Sequence, residues 1–198
     1  MPFWNNTAVE PKRSFRWILY LPAVTGDAAA SAPTTYAIRE VNKPSFTISQ
    51  TDVNFMIHTF KYPGRTTWND VNVTLIDPIN PDMSGIMSRI IQASGYRKPE
   101  TEEDARFSFS KASAVNSLGK PRIQQIDAGG NPDVQGRVVP PRIIEEWSLA
   151  NAWVKNVEFG ALNYASEDLV QLKLTISYDY AEYQGDFDPA TGLIKPIL

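Results

Sequence analysis

The sequence predicts a mainly β protein, an antiparallel β-sandwich or barrel with one amphipathic α-helix. The dominant hydrophobic period is two, which is the period of a strand with one buried face. Aromatic residues make up 11% of the chain, and this enrichment favours strands. Only the segment 83–91 changes to a helical period. We expect a single domain over 1–198, because neither an internal repeat nor a clear linker divides the sequence.

The N-terminal part of the chain predicts a series of strands and one hairpin. Short strands are expected at three alternating segments: 14–22, 34–40 and 45–49. The segment 53–62 is partly apolar on both faces and predicts one long strand. A wide loop over 63–67, opened by Pro63-Gly64, is expected to join it to a returning strand over 68–76.

The predicted helix follows the 68–76 strand. Its apolar residues fall at i, i+3, i+4, i+7 and i+8, which places them on one stripe: Met83, Ile86, Met87, Ile90 and Ile91. Asp82 is the expected N-cap residue, and Gly95 is expected to end the helix. The methionines of the stripe are interpreted as core filling.

The C-terminal part predicts strands around an irregular segment. Residues 95–141 have weak periodicity and are expected to form an inserted loop region, in which 122–127 is a candidate strand. Further strands are predicted at 142–149, 154–160 and 170–180. The last of these has the strongest alternation, with six apolar residues at every second position. Extended arms are expected at both termini, over 1–12 and 184–198.

Composition argues against several classes of function. The chain has no cysteine, which removes disulfides, thiolate metal sites and cysteine nucleophiles, and its one histidine, His58, has no second histidine to share a metal. The net charge is −3 and no Lys/Arg cluster stands out, so tight binding of nucleic acid is disfavoured. We expect neither a secretory signal nor a membrane-spanning segment.

The remaining candidates for chemistry have structural explanations. His58 lies on a predicted strand without an oriented catalytic partner. The carboxylates of 102–104, and those of Asp186 and Asp188, do not match a calcium-loop spacing. The glycines within 128–132 lack both the P-loop and the dinucleotide-binding fingerprints, so this segment predicts a turn. We therefore expect no enzyme activity and no cofactor.

Two segments carry a resemblance to a known family. The first is GRTTWNDVNVTLID at 64–77, which is followed by the amphipathic helix. The second comprises WVKNVEFGALNY at 153–164 and DLVQLKLTISYDY at 168–180. In this order they resemble the tail tube proteins of contractile-tailed bacteriophages. The resemblance covers most of 14–62, 64–94 and 142–183, and it fails over 95–141.

The resemblance implies a structural protein. Members of that family fold as a β-barrel or sandwich with one helix, form hexameric rings, and stack the rings into a hollow tube inside a contractile sheath. The implied partners are further copies of the chain, the sheath protein, and the baseplate and tube-terminator proteins. DNA would pass through the tube without specific binding. The implied location is the virion tail tube, assembled in the cytoplasm of the bacterial host.

The sequence also suggests which residues would serve assembly. The 53–62 and 68–76 strands are apolar enough to need cover from a neighbouring copy. The expected inter-subunit residues are Phe55, Ile57, Phe60, Tyr62 and Trp68. Two strand faces are candidates for lining the lumen, and the sequence does not decide between them: Asp70, Asn72 and Thr74, or Thr175, Ser177 and Asp179.

Two alternatives remain open at the level of sequence. One is a tube protein of a type VI secretion system or a related contractile injection system. The other belongs to a different class: a monomeric β-sandwich module that binds carbohydrate by stacking tryptophans on a sugar. The tryptophans of the predicted strands lie on alternating positions, which favours the core for them: Trp17, Trp68, Trp147 and Trp153.

Overall fold

A computed structural model describes residues 11–22, 37–127, 143–165 and 167–185. These residues form ten β-strands and two α-helices. The first five strands are β1 (Trp17–Tyr20), β2 (Ile38–Val41), β3 (Ser45–Phe55), β4 (His58–Asn69) and β5 (Val71–Ile76). The helices are α1 (Met83–Ala93) and α2 (Lys111–Leu118), and a short 3-10 helix spans Asp104–Arg106. The last five strands are β6 (Arg122–Ile126), β7 (Ile143–Ala150), β8 (Trp153–Glu158), β9 (Gln171–Ser177) and β10 (Tyr180–Gln184).

Eight of the strands form two antiparallel sheets of four. Sheet 1 has the order β1-β6-β7-β10, and sheet 2 has the order β2-β5-β9-β8. Strands β3 and β4 pair only with each other among the described residues. One hydrophobic core contains side chains from both four-stranded sheets, so the molecule is a sandwich. The predicted mainly β fold is confirmed, with a second helix in addition to the expected one.

The core is built from the inward positions of alternating strands. Strands β5 and β9 contribute the residues that the period of two predicted: Val71, Val73, Leu75, Leu172, Leu174 and Ile176. Leu19 of β1, Ile123 of β6 and Leu149 of β7 lie on the sheet 1 side of the same core. Each fully buried side chain of this size contributes about 1.5–3 kcal/mol relative to an exposed one.

Helix α1 has the predicted position and ends. Asp82 is the N-cap, and its carboxylate accepts a hydrogen bond from the Gly85 amide at 3.0 Å. The buried residues Met83, Met87 and Ile90 come from the predicted stripe. Gly95 follows the C-cap with φ of +111°, a conformation that favours glycine.

Helix α2 corrects the expectation of a loop after residue 95. Ser110 caps its N-terminus by accepting from the Ser113 amide at 3.1 Å, and Ala114 and Leu118 are buried. A helix of eight residues with two buried anchors is too short to show a helical period in the sequence. The candidate strand at 122–127 is confirmed as β6, whereas 128–141 lies outside the described residues.

The hairpin turn lies seven residues earlier than the expected loop begins, so the prediction of one strand over 53–62 is wrong. Phe55 pairs with His58, and the turn consists of Met56 and Ile57. The segment Pro63-Gly64 lies within β4 instead. There Gly64 and Arg65 oppose the single residue Ser49 as a β-bulge, which lets the strand continue. A side chain at Gly64 would collide with Ser49.

The predicted strand at 170–180 divides between the two sheets. Strand β9 ends at Ser177 in sheet 2, and β10 begins at Tyr180 in sheet 1. Tyr178, between them, is still buried against the core, which explains the unbroken alternation in the sequence. Strand β1 is also shorter than the predicted 14–22. Most of each predicted terminal arm lies outside the described residues.

Candidate functional site

The β3–β4 arm, defined as residues 45–69, is the least covered part of the described structure. Its two strands pair along their whole length, and every residue except the half-buried Trp68 is exposed. Eleven residues of β3 span about 35 Å at the usual rise per residue. Only Asp70 separates β4 from β5, so the arm leaves the sandwich beside the Val71 end of sheet 2.

The outer half of the arm has one apolar face and one polar face. Val53 lies opposite Phe60, and Thr51 lies opposite Tyr62, so these side chains share a face with Phe55 and its partner His58. The other face carries the pair Asp52 and Lys61 and the pair Asn54 and Thr59. In the latter pair the Thr59 hydroxyl donates to the Asn54 side-chain oxygen at 2.8 Å. The arm is therefore amphipathic and exposed on both faces.

The tip of the arm combines backbone strain with exposed apolar side chains. Met56 has φ of +53°, a left-handed conformation that costs a non-glycine residue about 1 kcal/mol. The side chains of Met56 and Ile57 are 87% and 92% exposed. A strained turn that presents two apolar side chains to solvent is typical of a binding element.

The expected inter-subunit residues fall at two different places on the arm. Phe55, Phe60 and Tyr62 lie on its apolar face, and Ile57 lies at its tip; all four are exposed. Trp68 lies at its base, where its ring is 5.2 Å from Phe46 and 6.0 Å from Tyr178, centroid to centroid. Trp68 thus attaches the arm to the sandwich core.

The two candidate lumen faces are one surface in the structure. Asn72 of β5 lies opposite Thr175 of β9, and the threonine hydroxyl donates to the Asn72 side-chain oxygen at 3.1 Å. Thr74 shares this face because its partner is Lys173, two residues before Thr175. Ser177 continues the same side of β9. We call this surface the polar face of sheet 2.

Two aspartates of the predicted lumen set have salt-bridge partners. Asp70 precedes β5 and accepts from Lys155 at 2.7 Å. Asp179 lies between β9 and β10, outside both strands, and pairs with Lys111 of α2 at 2.6 Å. Hydrogen bonds from Lys111 and Asn151 lower the pKa of Asp179. Asp179 therefore ties α2 to the junction between the two sheets.

Both central strands of sheet 2 have one buried face and one open face. Strand β5 alternates buried and less buried positions, and β9 does the same. In β7 of sheet 1, by contrast, consecutive residues are buried on both sides. The open face of sheet 2 also carries Glu40, Lys173 and Glu158, so its charges are of mixed sign.

A groove lies at the end of sheet 2 that is opposite the arm. It is formed by residues 158–164 and 168–171 and by Lys173, around the β8–β9 connection, and has a volume of about 1020 Å³. Its apolar lining includes the exposed side chains of Phe159, Leu162, Tyr164 and Leu169. The partner register places it near the Ile76 end of β5, whereas the arm leaves at the Val71 end. Each molecule thus exposes apolar surface at two opposite ends.

Two buried carboxylates on β7 were not predicted from the sequence. Glu145 and Glu146 are 4% and 7% exposed. Glu145 forms ion pairs with Lys12 and Lys43 and accepts from the Trp147 indole N–H at 3.3 Å. Burial raises the pKa of Glu145, but the hydrogen bonds and charges of the two lysines outweigh burial and lower the pKa overall. Of Ile143, Trp147 and Leu149, the apolar residues at alternating positions of β7, only Leu149 is fully buried.

The described candidates for catalysis or metal binding do not converge, and Asp186 and Asp188 lie outside the described residues. His58 is exposed on the arm beside Phe60. Asp104 accepts from the Thr101 hydroxyl at 2.7 Å at the start of the 3-10 helix. Among the residues that the structure describes, three or more metal-ligating side chains are never grouped. None of the helices in the described ranges is long and apolar enough to cross a membrane.

Comparisons with solved structures find the same fold at low sequence identity. A chain of the anti-feeding prophage baseplate, from a 6-fold symmetrised cryo-EM structure, has a TM-score of 0.56 and 11% identity and covers 89% of this chain and 97% of its own. A chain of the tube terminating cap of that particle has a TM-score of 0.52 and 12% identity, covering 91% and 95%. A chain of the PVC sheath–tube complex, from an extracellular contractile injection system in the extended state, has a TM-score of 0.50 and 14% identity, covering 90% and 95%.

The comparisons based on sequence find no relative. No protein-family model matches the chain, and no curated protein matches it. The fold is nevertheless shared over nearly the whole length of chains from tube-containing particles. The resemblance to tail tube proteins that the sequence motifs indicated is confirmed at the level of fold.

Proposed function

We propose that this protein is a non-enzymatic structural subunit of the inner tube of a contractile tail, and that it assembles as stacked homohexameric rings. The observation that carries the proposal is the β3–β4 arm, whose apolar face and tip are exposed in the isolated chain. A single domain over the whole chain forms each subunit. The fold shared with chains of tube-containing particles supports the same assignment.

Ring formation follows from the edges of sheet 2. Within the described residues, β2 and β8 each pair with one neighbour only, so each leaves an edge for a further strand. Pairing the β2 edge of one copy with the β8 edge of the next is a head-to-tail contact, and a closed ring leaves no edge. The joined sheets then form one barrel, with the polar face of sheet 2 towards the channel.

Stacking of rings uses the apolar surfaces at the two ends of sheet 2. The arm extends beyond the sandwich, so its apolar face and tip can reach a copy in the neighbouring ring. Burying Phe55, Ile57 and Phe60 there contributes about 1.5–3 kcal/mol for each side chain. Rings would then add cooperatively, because each new ring covers the exposed arms of the previous one.

The polar face of sheet 2 suits a conduit for DNA. Asn72, Thr74, Thr175 and Ser177 are uncharged, and the nearby Asp70 is paired with Lys155. A lining with balanced charge does not hold phosphates, so a polyanion passes without being retained. The proposed partners are the sheath, baseplate and tube-terminator proteins. The proposed site of assembly is the bacterial host cytoplasm, and the proposed final location is the virion tail.

Negative-stain electron microscopy of the purified protein at rising concentration tests assembly. We expect rings and hollow rods for the wild type, and rings that do not stack into rods for Ile57→Lys and Phe60→Lys, because each variant places a charge on the apolar face or the tip that the neighbouring ring would cover. Asn54→Lys is the matched control, since Asn54 lies on the polar face of the same arm. Strictly monomeric wild-type protein, even after seeding with preformed rods, would refute the tube proposal. Normal rods from both charged variants would refute the role of the arm.

The carbohydrate-binding alternative lacks its expected platform in the described part of the chain. It requires exposed, coplanar tryptophans, whereas Trp17, Trp68 and Trp147 are half-buried and pack against the core. Trp153 is also only half-exposed.

The content of the tube distinguishes a phage tail from an injection particle. If the tube delivers a genome, we expect native particles to contain DNA that is protected from nuclease.

A further inference from the structure

The ion cluster at Glu145 lies outside the proposed assembly surfaces, and it joins three separate parts of the chain. Its carboxylate belongs to β7 in sheet 1. Lys12 reaches it from the N-terminal segment, which we define as residues 11–16, and Lys43 reaches it from the connection between β2 and β3. Lys43 is two residues before Ser45, the first residue of the arm. Glu145 therefore fixes the position of the chain just before the arm begins.

A second set of contacts links the same three parts. The Lys43 ammonium donates to the Gln125 side-chain oxygen at 2.7 Å. The Gln125 amide donates in turn to the backbone carbonyl of Arg13 at 3.1 Å. Gln125 is itself buried on β6. The N-terminal segment and the start of the arm are thus tied to adjacent strands of sheet 1 through shared partners.

The two strands of the arm are attached to the sandwich in different ways. Strand β4 is held by aromatic packing of Trp68 against Tyr178. On the β3 side, the residue just before the arm is held by the ion pair of Lys43 with Glu145. The two attachments are therefore on opposite strands of the arm.

We propose that Glu145 is a positioning residue for the β3–β4 arm, and that the N-terminal segment shares this anchor through Lys12. Binding of the segment to sheet 1 then restrains the arm. The consequence for tube assembly rests on the proposed function, whereas the coupling between segment and arm does not. Because one carboxylate binds both ammonium groups, the position of each lysine side chain depends on the other.

The physical basis is the unequal burial of the partners. Glu145 is buried, whereas the side chains of Lys12 and Lys43 are 45% and 51% exposed. A released lysine regains water at little cost, but a buried carboxylate without its cations is strongly unfavourable. Removal of the carboxylate charge also leaves two like charges close together. The largest effect is therefore expected at Glu145, with smaller effects at either lysine.

Amide hydrogen exchange of the unstacked protein, followed by mass spectrometry, tests the anchor. Ile57→Lys is the background, because it is designed to prevent stacking through the arm. In that background we expect E145Q and K43M to raise exchange in peptides covering 42–49 and 66–69 by roughly tenfold. K43R keeps the cation and is expected to retain the protection. K120M is the matched control, since Lys120 pairs with Glu182 at an exposed site remote from the arm.

The coupling is tested by K12M, which lies more than thirty positions before the arm in the sequence. We expect exchange at 42–49 to rise severalfold in K12M, together with faster trypsin cleavage after Arg13. Unchanged exchange of the arm in K12M would overturn the coupling, and unchanged exchange in K43M would overturn the anchor. The lysine variants decide both questions even if E145Q fails to fold, because both lysines are half-exposed.

The same variants without the Ile57→Lys background separate this inference from the proposed function. If the wild type forms rods, K43M is expected to raise the protein concentration needed for rods by roughly tenfold, and K43R to restore it. If the wild type forms no rods but the exchange results hold, the tube proposal fails and the anchor stands. If rods form and exchange of the arm does not respond to K43M, the anchor fails and the tube proposal stands.

Discussion

Sheet 2 and the β3–β4 arm use the same sequence pattern with opposite outcomes. In β9, Leu172, Leu174 and Ile176 alternate with polar residues and are completely buried in the core. In the arm, Val53, Phe60 and Tyr62 alternate equally well, yet about half or more of each residue is exposed. Alternation therefore specifies that a strand has an apolar face, but it does not specify whether that face is covered within the same chain.

The difference also separates two kinds of stability. The sandwich buries its apolar faces between two sheets and two helices, so it can fold as a monomer. A two-stranded ribbon is marginally stable in water by itself. The arm is therefore held by its own strand pairing and by its base at Trp68 and Lys43. We expect substitutions in the sandwich to change folding, and substitutions on the arm to change assembly.

The largest contrast is expected between two truncations at alternating apolar positions. Leu174→Ala leaves a cavity in the core and is expected to lower the free energy of unfolding of the monomer by about 3 kcal/mol. Val53→Ala on the arm is expected to lower it by less than about 0.5 kcal/mol. Urea denaturation of both variants measures the difference. Equal losses would mean that the arm is packed within the monomer, contrary to its exposure.

An intermediate effect is expected from pH, through Glu145. Its folded-state pKa is lowered, so its contribution to stability is present above the ordinary glutamate pKa and is lost as pH falls through the folded value. The stability advantage of the wild type over E145Q is therefore expected to be constant above about pH 5 and to shrink below about pH 4.5. If the stability advantage of the wild type grew on acidification, the pKa of Glu145 would be raised in the folded protein, contrary to the assigned direction.

A smaller effect is expected at the tip of the arm. Met56→Gly removes the strain of a positive φ and is expected to stabilise closure of the hairpin by about 1 kcal/mol or less. Hydrogen exchange at 54–60 should slow, while the free energy of global unfolding stays nearly unchanged. The variant also deletes an exposed apolar side chain, so rod formation is expected to weaken. Stronger assembly by Met56→Gly would show that the side chain is not a contact.

The smallest effect is expected at Asp179. Asp179→Asn removes an exposed pairing with Lys111 and is expected to change the free energy of unfolding by about 0.5 kcal/mol or less. The proposed lumen is expected to be unaffected, because Asp179 lies outside the two strands that carry the polar face of sheet 2. Thr175→Lys is the comparison, since it adds charge to that face. Conductance or DNA passage that changed with Asp179→Asn but not with Thr175→Lys would contradict the proposed lumen.

The exposure of the expected inter-subunit residues was predictable from the sequence, whereas their arrangement was not. The apolar segments 53–62 and 68–76 indicated exposed side chains, and four of the five expected residues are exposed on the arm. The sequence also indicated two polar strand faces, but only the register of β5 against β9 shows that they form one surface. Trp68 and Asp179 contact other residues of the same chain, Tyr178 and Lys111. These contacts could not be predicted, because the partners are distant in sequence.

Local pattern was sufficient for most strands, for helix α1 with its Asp82 cap, and for the β-sandwich class, because periodicity and capping depend on residues a few positions apart. Tertiary structure was needed to place the turn at Met56 and Ile57, to divide the 170–180 segment between two sheets, to form α2, and to bury Glu145. Each of these depends on pairing or packing between segments far apart in the chain, and no single stretch of residues determines the free energy of such contacts.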